Sequence, residues 1–188
     1  MSLLEAIAVV FGIVSVYLSV RENIWSWPTA LVNVSLYFLI FRRERLYADM
    51  GLQVFYAGIS LYGWYHWLFG GADQGSLKVT RTPRALALAL PVLGITAALG
   101  LGTLLARTTD ASVPYIDSTL TVTSLIAQWM MSRKYLENWL IWVVADVAYV
   151  GLFIHRGLLL TAFLYAVFLV LASKGYLDWR RSLDRSDR

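Results

Sequence analysis

The sequence predicts an all-α, polytopic membrane protein, with seven transmembrane helices arranged as three, one linker and three. Three observations predict it. The 188 residues are 59% hydrophobic and only 15% charged, with a mean hydropathy of +0.61; a soluble domain is nearer half apolar and about a quarter charged. The apolar excess covers most of the length and breaks into seven runs, each near the ~20 residues that cross a bilayer. Shifting the chain along itself by 112 positions aligns like residues in step with those runs.

Span one is Leu3–Val20. It has no basic leading region and no small-residue cleavage site, so it is expected to be retained as a helix. Span two, Trp27–Phe41, carries Pro28 early enough to sit in a first helical turn. Span three is Leu46–Phe69, followed by a polar loop over Gly70–Arg84. Span four, Ala85–Ala106, holds Pro91 and several glycines but no charge. Spans five, six and seven are Tyr115–Met131, Trp139–Ile154 and Leu158–Tyr176. Spans two and six are short, at about fifteen and sixteen residues against the ~20 needed. Matched short segments in the two halves of a transporter point to its binding site.

The 112-residue shift pairs Arg21 with Arg133, Trp27 with Trp139, Tyr37 with Tyr149, Phe41 with Phe153, Gly63 with Gly175 and Trp67 with Trp179. The expectation is one membrane domain, 1–188: a three-helix repeat over 1–70, a linker helix over 84–106 and a second repeat over 113–181. A single linker makes the halves parallel, related by an axis along the membrane normal as in the SWEET sugar carriers, with binding between them at mid-membrane. Five Lys and Arg residues fall on one side (Arg42, Arg43, Arg45, Arg107, Arg156) and eleven on the other. The basic side faces the cytoplasm, which puts the amino terminus outside and the carboxyl terminus inside.

Composition also excludes functions. With no cysteine there is no disulfide, catalytic thiolate or Cys-ligated metal. The net charge of +4 lies in loops and tail, as topology signals rather than a nucleic-acid patch. No HExxH, no clustered acids and no Ser-His-Asp pattern suggest a metal site or an enzyme, and no cofactor is implied.

The most informative run is Glu137–Phe153. Trp139, Trp142, Asp146 and Tyr149 recur at intervals of three, four and three, so they share one helical face. An acid in mid-span costs roughly 2.5–3.5 kcal/mol on insertion scales and is tolerated only toward protein, a partner or a water-filled cavity. A carboxylate among indoles and a phenol suits a flat, cationic ligand; the plainer alternative is that the rings pack and Asp146 bonds a neighbouring helix. Asn33 and Tyr37 share a face of span two, Gln53 lies within span three, Gln128 deep in span five, Asn138 and Glu137 at the mouth of span six, and Tyr165 with Thr161 in span seven. Trp25, Trp64, Trp67 and Trp179, near span ends, read as interfacial belt residues.

Ser124–Lys134 with Glu137-Asn138-Trp139-Leu-Ile-Trp142 and Asp146 resembles the PnuC family of vitamin transporters. The run Gln53…Tyr62-Gly63-Trp64-Tyr65-His66-Trp67 and the ending Gly175-Tyr176-Leu-Asp-Trp179 are similar to it as well. The resemblance implies a seven-helix carrier of the bacterial inner membrane, a homotrimer among lipid. It implies uptake of nicotinamide riboside by facilitated diffusion, with trapping by a cytoplasmic kinase. It also implies substrate contacts at Trp139 and Trp142, with Gln53, Asn33 and Tyr149 as pocket members. Thiamine or riboflavin remains the alternative small vitamin substrate.

Overall fold

The computed structural model describes residues 3–45, 47–72, 75–109, 113–155, 157 and 159–186. Arg156 and Arg188, counted above as topology signals, and the span boundaries at Leu46 and Leu158 lie outside them. Among the described residues the chain forms seven α-helices: α1 Leu3–Val20, α2 Ser26–Arg43, α3 Tyr47–Phe69, α4 Arg84–Thr108, α5 Pro114–Ser132, α6 Asn138–His155 and α7 Leu159–Ser186. Four stretches are long and apolar enough to cross a membrane by length and composition: α1, α4, α6 and residues Thr161–Arg185 of α7. The helices α2, α3 and α5 are not among them; they carry Asn33, Gln53, Tyr56, Ser124 and Gln128.

Two expectations about length are corrected. Both α2 and α6 have 18 residues, as many as α1; their apolar runs are short only because polar ends such as Arg42, Arg43 and Asn138 are helical too. The last helix runs ten residues beyond the expected Tyr176, to Ser186. Lys174 pairs with Asp178 at 3.0 Å and Arg181 with the same acid at 3.2 Å, one turn away on either side, so a polar surface is supported along the helix.

Packing follows chain order within two groups. The α1–α2 and α2–α3 pairs make one group, and α5–α6 and α6–α7 the other; α1 meets α7, α3 meets α5, and α4 packs on α5. The turns after α1 and α5 are built alike. Glu22 N–H donates to Ser19 O and Asn23 N–H to Leu18 O; Lys134 N–H donates to Met131 O and Tyr135 N–H to Met130 O. Glu22 and Lys134 both have φ of 52°. This is the left-handed cap that satisfies the last carbonyls of a helix. The loop before α4 is strapped to the second turn: Thr80 N–H donates to Lys134 O, Leu136 N–H to Thr80 O, and Thr82 N–H and Oγ1 both donate to Glu137 Oε2, at 2.8 and 2.7 Å. Glu137, at the mouth of α6, therefore holds this loop.

One end of the bundle is closed by tryptophan. Trp67 and Trp179 are 3% and 0% exposed, so they are core residues and not the belt residues their places near span ends suggested. Trp27 meets Trp67 edge-on at 5.2 Å, Trp67 meets Trp179 at 5.9 Å, and Trp139 meets Trp179 edge-on at 5.3 Å. Glycine permits this closeness: a Cβ on Gly175 would lie 2.6 Å from the Trp139 ring, and one on Gly63 would overlap the Trp27 ring. Trp25, by contrast, is exposed, as a belt residue would be.

Candidate functional site

Above the tryptophan layer lies a cavity of about 440 Å³, lined by α1, α2, α3, α5, α6 and α7 but not by α4. The 3-4-3 spacing on α6 works as the periodicity requires: Trp139, Trp142, Asp146 and Tyr149 all face the space. Trp139 and Asp146 are buried; Trp142 and Tyr149 are half-buried. From α2 come Trp27, Ala30, Asn33 and Tyr37; from α3 Gln53, Tyr56 and Ser60; from α5 Ser124 and Gln128; from α7 Tyr165 and Phe168.

Asn33 is fixed by a 2.7 Å bond from Nδ2 to Ala8 O. Gly12 leaves room for it, since a Cβ there would sit 3.0 Å from that nitrogen. Its Oδ1 is then the group left to accept from a ligand. The Tyr56 hydroxyl bonds the Ser124 hydroxyl between α3 and α5. Tyr149 and Tyr165 lie 4.5 Å apart at their ring centres, and Phe153 stacks on both, at 6.0 and 5.3 Å. The wall is mixed: rings for a flat ligand, amides and hydroxyls for its polar edge. Among the described residues Asp146 is the one charged side chain in this lining, and no described Lys, Arg or His joins it.

The structure thus brings Trp139, Trp142, Asp146, Tyr149, Asn33, Tyr37, Gln53, Gln128 and Tyr165 to one cavity. Asn138 is placed elsewhere. At the start of α6 it turns back on the preceding turn, fully buried, with Nδ2 donating to Tyr135 O at 2.6 Å. Several lining residues were not singled out from sequence as pocket members, chiefly Trp27, Tyr56 and Ser124. A signal existed for each: Trp27 is 112 positions before Trp139, Tyr56 follows Gln53 by three, and Ser124 precedes Gln128 by four.

Seven helices, six of them around a mid-bundle cavity with one acid among rings and four with stretches fit to cross a membrane, are the architecture of a polytopic membrane transporter of a small molecule. A family model described as "Nicotinamide mononucleotide transporter" matches residues 2–181. The chain belongs to that family, the PnuC family of vitamin transporters, which is one of carriers and not of enzymes. It is similar to the Escherichia coli (strain K12) nicotinamide riboside transporter PnuC, 30% identical over 97% of this chain and 87% of that protein. It is also similar to the riboflavin/roseoflavin transporter RibM of Streptomyces davaonensis, 26% identical over 90% of this chain and 81% of the relative. The crystal structure of the vitamin B3 transporter PnuC shares the fold, with a TM-score of 0.76 and 22% identity, over 97% of this chain and 82% of that one.

Proposed function

We propose that this protein carries nicotinamide riboside across the bacterial inner membrane by facilitated diffusion, with phosphorylation by a cytoplasmic kinase retaining it. One observation carries the reading: among the described residues the only charged group in the cavity wall is Asp146, set among Trp139, Trp142 and Tyr149. A pyridinium ring is flat and cationic, so rings and a carboxylate both attract it. Asn33, Gln53 and Gln128 supply partners for the ribose hydroxyls and the carboxamide. A nucleotide would bring a phosphate, and with no Lys, Arg or His among the described lining residues its charge would face only an acid. The nucleoside therefore fits where the phosphorylated form does not.

Riboflavin is the second reading, favoured by the likeness to RibM; thiamine, another flat cation, is the third. Titrating purified protein with the three vitamins separates them. The riboside should bind saturably and displace the others, and a firm riboflavin or thiamine signal with no riboside signal overturns the order.

The three-plus-one-plus-three architecture is part of the same proposal. Its support is the number of contacts that recur 112 residues apart. Tyr37 stacks on Phe41 and Tyr149 on Phe153; Trp27 meets Trp67 and Trp139 meets Trp179; the two left-handed turns share their hydrogen bonds. Convergence of the α1–α2 turn, the α5–α6 turn and the end of α7 at one end gathers the Lys- and Arg-rich segments there. That supports a cytoplasmic carboxyl terminus and an outer amino terminus. A homotrimer embedded in lipid is proposed on family resemblance.

A further inference from the structure

We propose that the junction of the α1–α2 and α5–α6 turns is a gate that closes one end of the cavity and parts once in each transport cycle. Its parts are the Glu22–Lys134 ion pair and the crossed indole bonds of Trp67 and Trp179. The proposal rests on the carrier reading above. The cavity floor is formed by Trp27, Met131 and Trp139, which also belong to the buried cluster around Trp67 and Trp179. A ligand leaving by this end has to pass through that layer.

Beside the ring contacts within each group, Trp27–Trp67 and Trp139–Trp179, the layer is fastened by contacts that join the first helical group to the second. Lys134 Nζ lies 3.0 Å from Glu22 Oε2 and 4.5 Å from the centre of the Trp67 ring. Trp67 Nε1 donates to Met131 O at 3.1 Å. Trp179 Nε1 donates to Ser19 O at 3.0 Å. The exchange is reciprocal, because Ser19 and Met131, Glu22 and Lys134, and Trp67 and Trp179 are all 112 positions apart. Such a contact meets itself across a two-fold axis and opens symmetrically when two halves rock about that axis.

The bonds are also of a kind that separates without orphaning acceptors. Ser19 O and Met131 O already accept the backbone N–H of Glu22 and Lys134 within their own turns. A carbonyl has two lone pairs, so each stays satisfied when the indole withdraws. Closure is thus held across the groups by the ion pair, the Lys134–Trp67 contact and the two indole bonds, with Arg133 beside them, 3.4 Å from His66 and 5.7 Å from the Tyr62 ring.

The chain has no cysteine, so the test needs no background removal. The double variant Glu22→Cys/Lys134→Cys is reconstituted in liposomes, joined with a short bis-methanethiosulfonate reagent, and assayed for riboside counterflow and binding. Before linking it should exchange riboside; after linking exchange should stop while binding persists, and reductant should restore it. Continued exchange by the linked protein overturns the gate, since the turns would then be a fixed pivot. If wild-type protein shows no exchange, the carrier reading fails instead. Should the double variant misfold, Glu22→Gln in a Ser19→Cys background replaces it. A membrane-impermeant thiol reagent should label that cysteine several-fold faster than in the Ser19→Cys protein alone; an unchanged rate overturns the proposal.

Discussion

Helices α2 and α6 occupy comparable positions on the cavity but bring different chemistry to it. Trp27 on α2 and Trp139 on α6 do the same work. Each is buried, each meets a glycine of the following helix, and each meets a second tryptophan edge-on. Tyr37 and Tyr149 each stack on a phenylalanine one turn on. Between these matched ends the helices diverge. Where α6 presents Trp142 and Asp146, α2 presents Ala30 and Val34, all four lining the cavity. The frame is thus built on both helices, whereas the group able to select a cation is built on one. A binding site for an unsymmetrical ligand requires that difference, because equal walls would bind both ends of the ligand alike.

Five variants would break or sharpen the comparison. The largest effect is on the frame: Trp27→Ala and Trp139→Ala should each cost about 3–5 kcal/mol of stability, as large-to-small changes in a close-packed core do. Thermal unfolding in detergent checks this, and a loss confined to one helix would break the equivalence. Next is Asp146→Val, which gives α6 the side chain found at Val34. It should weaken riboside binding by about 2–5 kcal/mol, the cost of removing one partner from a buried charge pair, with unfolding nearly unchanged. Calorimetric titration reads the first quantity and thermal unfolding the second. Trp142→Ala, which copies Ala30, should cost about 1–3 kcal/mol of binding, the scale of one ring stacked on one aromatic side chain, seen as a faster dissociation rate. The smallest is Asn33→Ala. Loss of its bond to Ala8 O should lower stability by about 1 kcal/mol, measurable as a small fall in unfolding temperature.

Much of this site was legible in the sequence, for a physical reason. Helical periodicity fixes which residues share a face, so the 3-4-3 stripe from Trp139 to Tyr149 needed no partner to be read. The single mid-span acid also had to face inward, whatever it met there. What sequence did not show was which residues meet across the two helical groups. Trp67 and Trp179 lie near helix ends, where tryptophan commonly sits at a membrane surface; their burial comes from each other and from the turns opposite. Asn138 shared its helix with the stripe, but it stands at the first residue of α6, where the preceding turn brings the Tyr135 carbonyl within reach of its amide Nδ2. The lengths of α2 and α6 were misjudged because apolar runs were counted where hydrogen bonding sets helix ends.

The central claim is that the chemistry of recognition resides on α6 and not on its counterpart. Titrating nicotinamide riboside into the double variant Trp142→Ala/Asp146→Val tests it most directly, because that α6 presents what α2 presents at Ala30 and Val34. The account predicts no measurable binding by a protein that elutes and unfolds like the wild type. Wild-type affinity in that variant would contradict it.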